Sequence, residues 1–177
     1  MSIRQIQARY DELQDRVLLR LSTKDDAEFL FWFTRRFTRR FWGFLLKTLE
    51  QDEPVRQQAD IEARKAVMAM RHEDFVQQSN FSKPFEEKPY QRPLGAEPIL
   101  VARADYAPGA KPGIFTLSLR PQQGQGVDLG LTPSLLHSIA KLLLDAVAQT
   151  DWDLNLAMPS AMFQPVTDES ATPRTLQ

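Results

Sequence analysis

The chain has 177 residues, 42% of them hydrophobic and 25% charged, which is enough for one good core or two small ones and too apolar for general disorder. Lys and Arg number 22 against 23 Asp and Glu, so the net charge of -1 excludes a global field that would hold a polyanion or an anionic membrane, and any nucleic-acid site must be a local patch. The absence of cysteine excludes disulfides, thiolate chemistry and sulfur-ligated metals.

The opening "MSIRQIQARYDELQDR" carries charges where a signal peptide needs its apolar centre. The apolar runs "FLFWF" and "FWGFLL" fall far short of the roughly 20 residues of a membrane span. The expectation is therefore a cytoplasmic protein with no membrane partner.

In chain order, "IRQIQARY" at residues 3–10 reads as a first strand. Val17, Leu19 and Leu21 then alternate with Leu18 and Arg20 as a half-buried strand should, and "STKDDAE" turns the chain into Phe29, Phe31 and Phe33. Thr34 stands where a side-chain oxygen can cap a helix. Beyond it Phe37, Phe41, Phe44, Leu45 and Leu49 recur at helical spacing, which predicts an amphipathic helix packed on a sheet. Residues 1–52 thus form one strand-strand-strand-helix unit.

Residues 53–80 are rich in helix formers and predict an intervening helix, with Ala59, Ala63, Ala66 and Met70 on one stripe and Ile61, Met68 and Phe75 on a neighbouring face. Residues 81–98 contain Pro84, Pro89, Pro93 and Pro98 and predict an extended linker with Phe81, Phe85 and Tyr90 as anchors. A second unit spans residues 99–158, beginning with "ILVARADY" at 99–106 and ending with "DWDLNLAM" as a further edge strand. Residues 159–177 are expected to be a disordered tail.

The two units align without a gap when the chain is shifted by 98 positions, which lays Thr132 over Thr34. Phe115, Leu117 and Leu119 fall on Val17, Leu19 and Leu21, and Val127, Leu129 and Leu131 on Phe29, Phe31 and Phe33. The helical stripe Leu135, Ile139, Leu142, Leu143 and Val147 falls on Phe37, Phe41, Phe44, Leu45 and Leu49. The expectation is an α+β fold made by internal duplication of a β-β-β-α unit, each an antiparallel sheet with a helix packed on one face.

"FTRRFTRRFWGF" breaks this symmetry. Arg35, Arg36, Arg39 and Arg40 have Pro133, Ser134, His137 and Ser138 as counterparts, so the fold does not require the cluster. Arg36, Arg40 and Lys47 make one stripe beside the core face, and Arg35 and Arg39 lie on the adjoining face. Four cations in the first turns oppose the helix dipole. Their offset is expected either within the chain, from Asp25, Asp26, Glu28, Glu62, Glu73 or Asp74, or from a partner.

No catalytic constellation is legible, and neither a cofactor nor a metal site is expected. His72 and His137 are the only histidines and fall on different predicted helices; "RHED" at Arg71–Asp74 reads as a solvated charged face. "GQGVDLG", with Gly124, Gly126 and Gly130, opens a strand rather than a helix and reads as a hairpin turn.

Two functional classes remain. The first is a non-enzymatic interaction or assembly module whose site comprises Trp32, Arg35, Arg36, Arg39, Arg40 and Lys47, with Trp42 alongside, facing a protein partner or a second copy of the chain. The second is single-stranded nucleic-acid binding through the same residues. In layout only, the duplicated strands followed by a helix resemble the Whirly and Pur-alpha families. That resemblance implies curved sheets that bind single strands. It covers the order of elements across both copies and no shared motif, and those units carry four strands before the helix where three are found here. The excess of acids in the second half, among them Glu86, Glu87, Glu97, Asp105 and Asp128, argues against one basic groove across both units.

Overall fold

Alternating apolar residues build the first sheet in the computed structural model, which describes residues 2–160. β1 (Ile3–Asp11), β2 (Arg16–Thr23) and β3 (Glu28–Thr34) are antiparallel, with Ile6 opposite Leu21, Leu19 opposite Phe31 and Val17 opposite Phe33. A period of two sends these side chains to one buried face and Arg9, Leu18, Arg20, Leu30 and Trp32 to the other.

α1 (Arg35–Leu49) starts where expected, with the Phe37 N–H donating to Thr34 Oγ1 at 3.2 Å. The single helix expected over 53–80 is instead two, α2 (Glu53–Arg56) and α3 (Ile61–Gln78). The break falls at Asp60, whose carboxylate accepts from the Ala63 N–H at 2.8 Å and so starts a new helix. The buried side of α3 is Met68 and His72; Ile61 and Met70, from the two expected stripes, are exposed.

The strand expected over 99–106 is also divided. β4 (Ile99–Leu100) pairs in parallel with β3 and makes the first sheet four-stranded and mixed rather than purely antiparallel. The Val101 N–H donates to the Trp32 carbonyl and the Ala102 N–H to the Arg120 carbonyl, so the chain passes from one sheet to the other between these residues. β5 (Arg103–Pro108), β6 (Phe115–Arg120) and β7 (Val127–Leu131) then form the second, three-stranded sheet, followed by α4 (Pro133–Val147). Leu135 N–H donates to Thr132 Oγ1 at 3.3 Å, the same cap as in α1.

The general class, α+β with two sheets, is as expected. Strand register also repeats: Ile6–Leu21, Val17–Phe33 and Leu19–Phe31 correspond to Ala104–Leu119, Phe115–Leu131 and Leu117–Leu129. The helices do not simply sit on their own sheets, however. α4 lies chiefly against β1, and α1 reaches β5. One continuous core results, in which Phe31, Phe41 and Leu45 join Leu117, Leu129, Ile139 and Leu143.

Within the expected extended linker, residues 84–92 lie as a strap across the helix-free face of the first sheet, and of its expected anchors Phe85 is buried, Tyr90 half-buried and Phe81 exposed. The Gln5 side chain bonds the Pro84 carbonyl and the Glu86 N–H, Arg20 pairs with Glu87 and lies over the Phe85 ring, and Gln91 bridges to Ala27 at the β3 edge. Glu28, whose side chain is wholly buried, accepts from both Arg20 and Arg92.

"DWDLNLAM" forms no strand; Trp152 is buried instead, its ring edge against Tyr10 and its indole N–H donating to Asp15. Tyr10 donates to the same carboxylate, which is the main cause of its phenol being pushed up to about 12. Of the tail expected to be disordered, residues 161–177 lie outside the described residues.

The two arginines meeting Glu28 yield a first prediction. Glu28→Ala leaves Arg20 without its buried partner and should cost about 3 kcal/mol, lowering Tm by about 6–12 °C. Arg92→Ala, at the exposed side, should cost under about 1 kcal/mol. Thermal unfolding of the two variants checks the difference.

Candidate binding surface

The core stripe of α1 leaves the opposite side to solvent, and the sequence fills that side with cations. Arg35, Arg36, Arg39, Arg40 and Lys47 are all exposed. Among the described residues none of the five makes an ion pair. Of the acids expected to offset them, three are engaged elsewhere, Asp26 with Arg4 and Lys88, Glu28 with Arg20 and Arg92, and Glu62 with Lys65, while Asp25, Glu73 and Asp74 are exposed and pair with none of the five. Arg35 acts only at longer range, helping the Trp152 and Tyr10 hydrogen bonds hold the Asp15 carboxyl below its usual value.

Gly43 occupies the centre of this face, one turn from Arg39, Arg40 and Lys47. A Cβ added there would meet nothing within 4 Å, so packing does not demand glycine. An interior helical glycine costs about 0.5–1 kcal/mol against alanine. Below Arg40 the helix borders a groove of about 200 Å³ lined by Phe37, Phe41, Phe44 and Ala102–Ala104. Tyr106 packs edge-on to Phe44.

The expected site is not one surface. Trp32 is half-buried on the opposite face of the sheet from α1, beside Leu18 and Leu100, and is separated from the five cations by the sheet itself. Trp42, expected at an interface, is buried in the core at 5% exposure. The cations of α1 remain together; the tryptophans do not join them.

The two histidines, separate in the sequence, meet in the structure. His72 of α3 and His137 of α4 face each other through their Nδ1 atoms at 3.2 Å, with the Phe75 ring on His137. The reading of "RHED" as a solvated charged face is corrected for His72, which is buried, and for Arg71, which is half-buried and pairs with the buried Asp52, and holds for Glu73 and Asp74, which are exposed. Nothing local in the sequence signals this contact, because it joins residues 65 positions apart.

In the neutral pair one Nδ1 donates and the other accepts, while His137 Nε2 is buried without a partner. Burial first, then the His72 and Arg71 charges, pushes His137 down to about 3; burial and Lys141 lower His72 against an opposing pull from Glu73. Among the described residues no three His, Asp or Glu gather where they could hold a metal. The "GQGVDLG" segment is the end of the β6–β7 turn running into β7, with Gly124 at φ 97° and Gly126 close against the Leu119 carbonyl.

Two outcomes follow. Because Arg36 and Arg40 form no ion pair and Arg36 stands in the first turn against the dipole, Arg36→Gln with Arg40→Gln should leave Tm unchanged or raise it, the Arg36 change relieving up to about 0.3–1 kcal/mol. The histidine pair sets an acid limit. Below the ordinary histidine value of 6.5 the unfolded chain binds protons that the folded pair refuses, so its contribution is complete above that pH and is lost as pH falls toward 3. Tm measured from pH 7.5 to 4.5 should fall, and the fall should flatten in a His72→Leu/His137→Leu variant.

Compared with known proteins, the chain matches no family model, no curated protein and no solved structure.

Proposed function

We propose that this protein is a non-catalytic interaction module, and that Arg35, Arg36, Arg39, Arg40 and Lys47 of α1 are its docking surface for an acidic partner protein. The observation that carries this reading is five exposed cations on one helix with no ion pair among the described residues. Isolated cations on a surface are ordinary, but here Arg35 and Arg36 occupy the first turn, against the helix dipole, and the set surrounds a glycine the fold does not need. An acidic partner offsets that cost in the complex, and arginine's planar fork suits carboxylates.

The shared strand register and helix caps support reading the two halves as copies of one β-β-β-α unit, of which only the first carries the cluster. On that reading the cluster was added to a scaffold that folds without it.

Single-stranded nucleic acid is the second reading, favoured by a different surface: Trp32, half-buried on the helix-free sheet face with Arg9 and Arg16 on the same face. The strap, with Glu87 fixed on Arg20, covers part of that face with negative charge.

Fluorescence anisotropy of a labelled mixed-sequence single strand and of a labelled polyglutamate chain, titrated with the protein at low and near-physiological salt, tests both. Saturable polyglutamate binding, lost at least tenfold in Arg36→Gln/Arg40→Gln, supports the α1 surface. Tight single-strand binding that survives in that variant and is lost in Trp32→Ala assigns the function to the sheet face instead.

A further inference from the structure

The repeated register makes the surroundings of the two long helices directly comparable, and they differ. α4 is covered: α3 lies on it, with His72 and Phe75 against His137. The chain leaving α3, residues 79–85, then follows the cleft between α4 and β1, where Leu135, Ser138 and Leu142 form the helical wall. The corresponding positions of α1 are Phe37, Arg40 and Phe44, which line the groove against Ala102–Ala104 of the other sheet. No described segment lies in that groove or over the equivalent of His137, which is the exposed Arg39. One half of the molecule thus contains a helix and its following chain; the other half presents the same seat empty.

We propose that α1 and β5 form the seat for an acidic helix of another protein, placed on α1 as α3 is placed on α4, with the chain that follows it in the groove beside Phe37, Arg40 and Phe44. This rests on the reading of α1 as the docking surface and names what docks. Three features define the occupant. The face is cationic throughout, so the visiting helix is acidic on the side it buries. Gly43 stands where α4 has Lys141, and without a side chain it lets a second helix backbone approach closely at the centre of the contact. The groove beside Arg40, floored by Phe37, Phe41 and Phe44, accepts an apolar side chain as an anchor within the charged rim. A second copy of α3 does not fit this description, since Arg64, Lys65 and Arg71 balance Glu62, Glu73 and Asp74.

The test uses the full-length protein and a labelled, helix-stapled peptide of residues 59–85 in which Arg64, Lys65 and Arg71 are replaced by Glu, so that the geometry of α3 is kept and its charge is made complementary. It is compared with unstapled polyglutamate of equal charge. The wild type should bind the stapled peptide at least tenfold more tightly than polyglutamate. Gly43→Leu should weaken the peptide at least tenfold while leaving polyglutamate binding and Tm undiminished, because it fills the crossing point without removing a charge. Peptide binding no tighter than polyglutamate, or unchanged in Gly43→Leu but lost in Arg36→Gln/Arg40→Gln, overturns the helix seat and leaves the cationic surface standing. Binding of both probes unchanged in Arg36→Gln/Arg40→Gln, or preference for a single strand of DNA over both, overturns the seat and the docking surface together.

Discussion

The structure depends on helices α1 and α4 crossing between the two sheets. Each sheet has one apolar face made by a period-two pattern, and a three- or four-stranded sheet cannot keep such a face in water. α4 covers β1 and α1 reaches β5, so neither half encloses its own core. Phe31, Phe33 and Phe41 share one apolar interior with Leu117, Leu129 and Leu143. The aromatic residues interleaved with arginines in α1 are explained by this packing. Phe33, Phe37 and Phe41 form a cluster of edge-on and stacked rings, and the arginines occupy what the cluster leaves outside.

Crossing also accounts for the strap. With both helices on the inner side, the outer face of the first sheet has no element to cover Leu18 and Leu30, and residues 84–92 lie across part of it. Their attachment is electrostatic more than apolar. Glu28 is buried between Arg20 and Arg92, Arg20 in turn grips Glu87, and Phe85 stacks under its guanidinium. Within this chain Glu28 and Arg20 are the members that would be poorly solvated if left alone, whereas Glu87 and Arg92 lie at its exposed rim.

The two long helices differ in what covers their outer sides. α4 has its outer side covered by α3 through Phe75 and a histidine pair whose burial disfavours protonation. α1 carries on its outer side exposed cations that form no ion pair among the described residues. α4 thus has its outer side covered and α1 does not, and it is this difference, not any catalytic geometry, that directs the functional reading.

Much of the fold was legible in the sequence because it is written in local patterns. Alternation gave the strands, Thr34 and Thr132 gave the helix starts, and the apolar spacing of 3.6 gave the core faces of α1 and α4. The cationic face of α1 was legible for the same reason, as the complement of its apolar stripe. What required the tertiary structure was every relation between distant segments: that Trp32 and α1 lie on opposite sides of a sheet, that Trp42 is buried, that the proline-rich segment is pinned down, and that His72 meets His137. Side-chain periodicity fixes which way a residue faces on its own element, whereas what it faces depends on how elements cross, and that was decided only by burying two one-sided sheets around two shared helices.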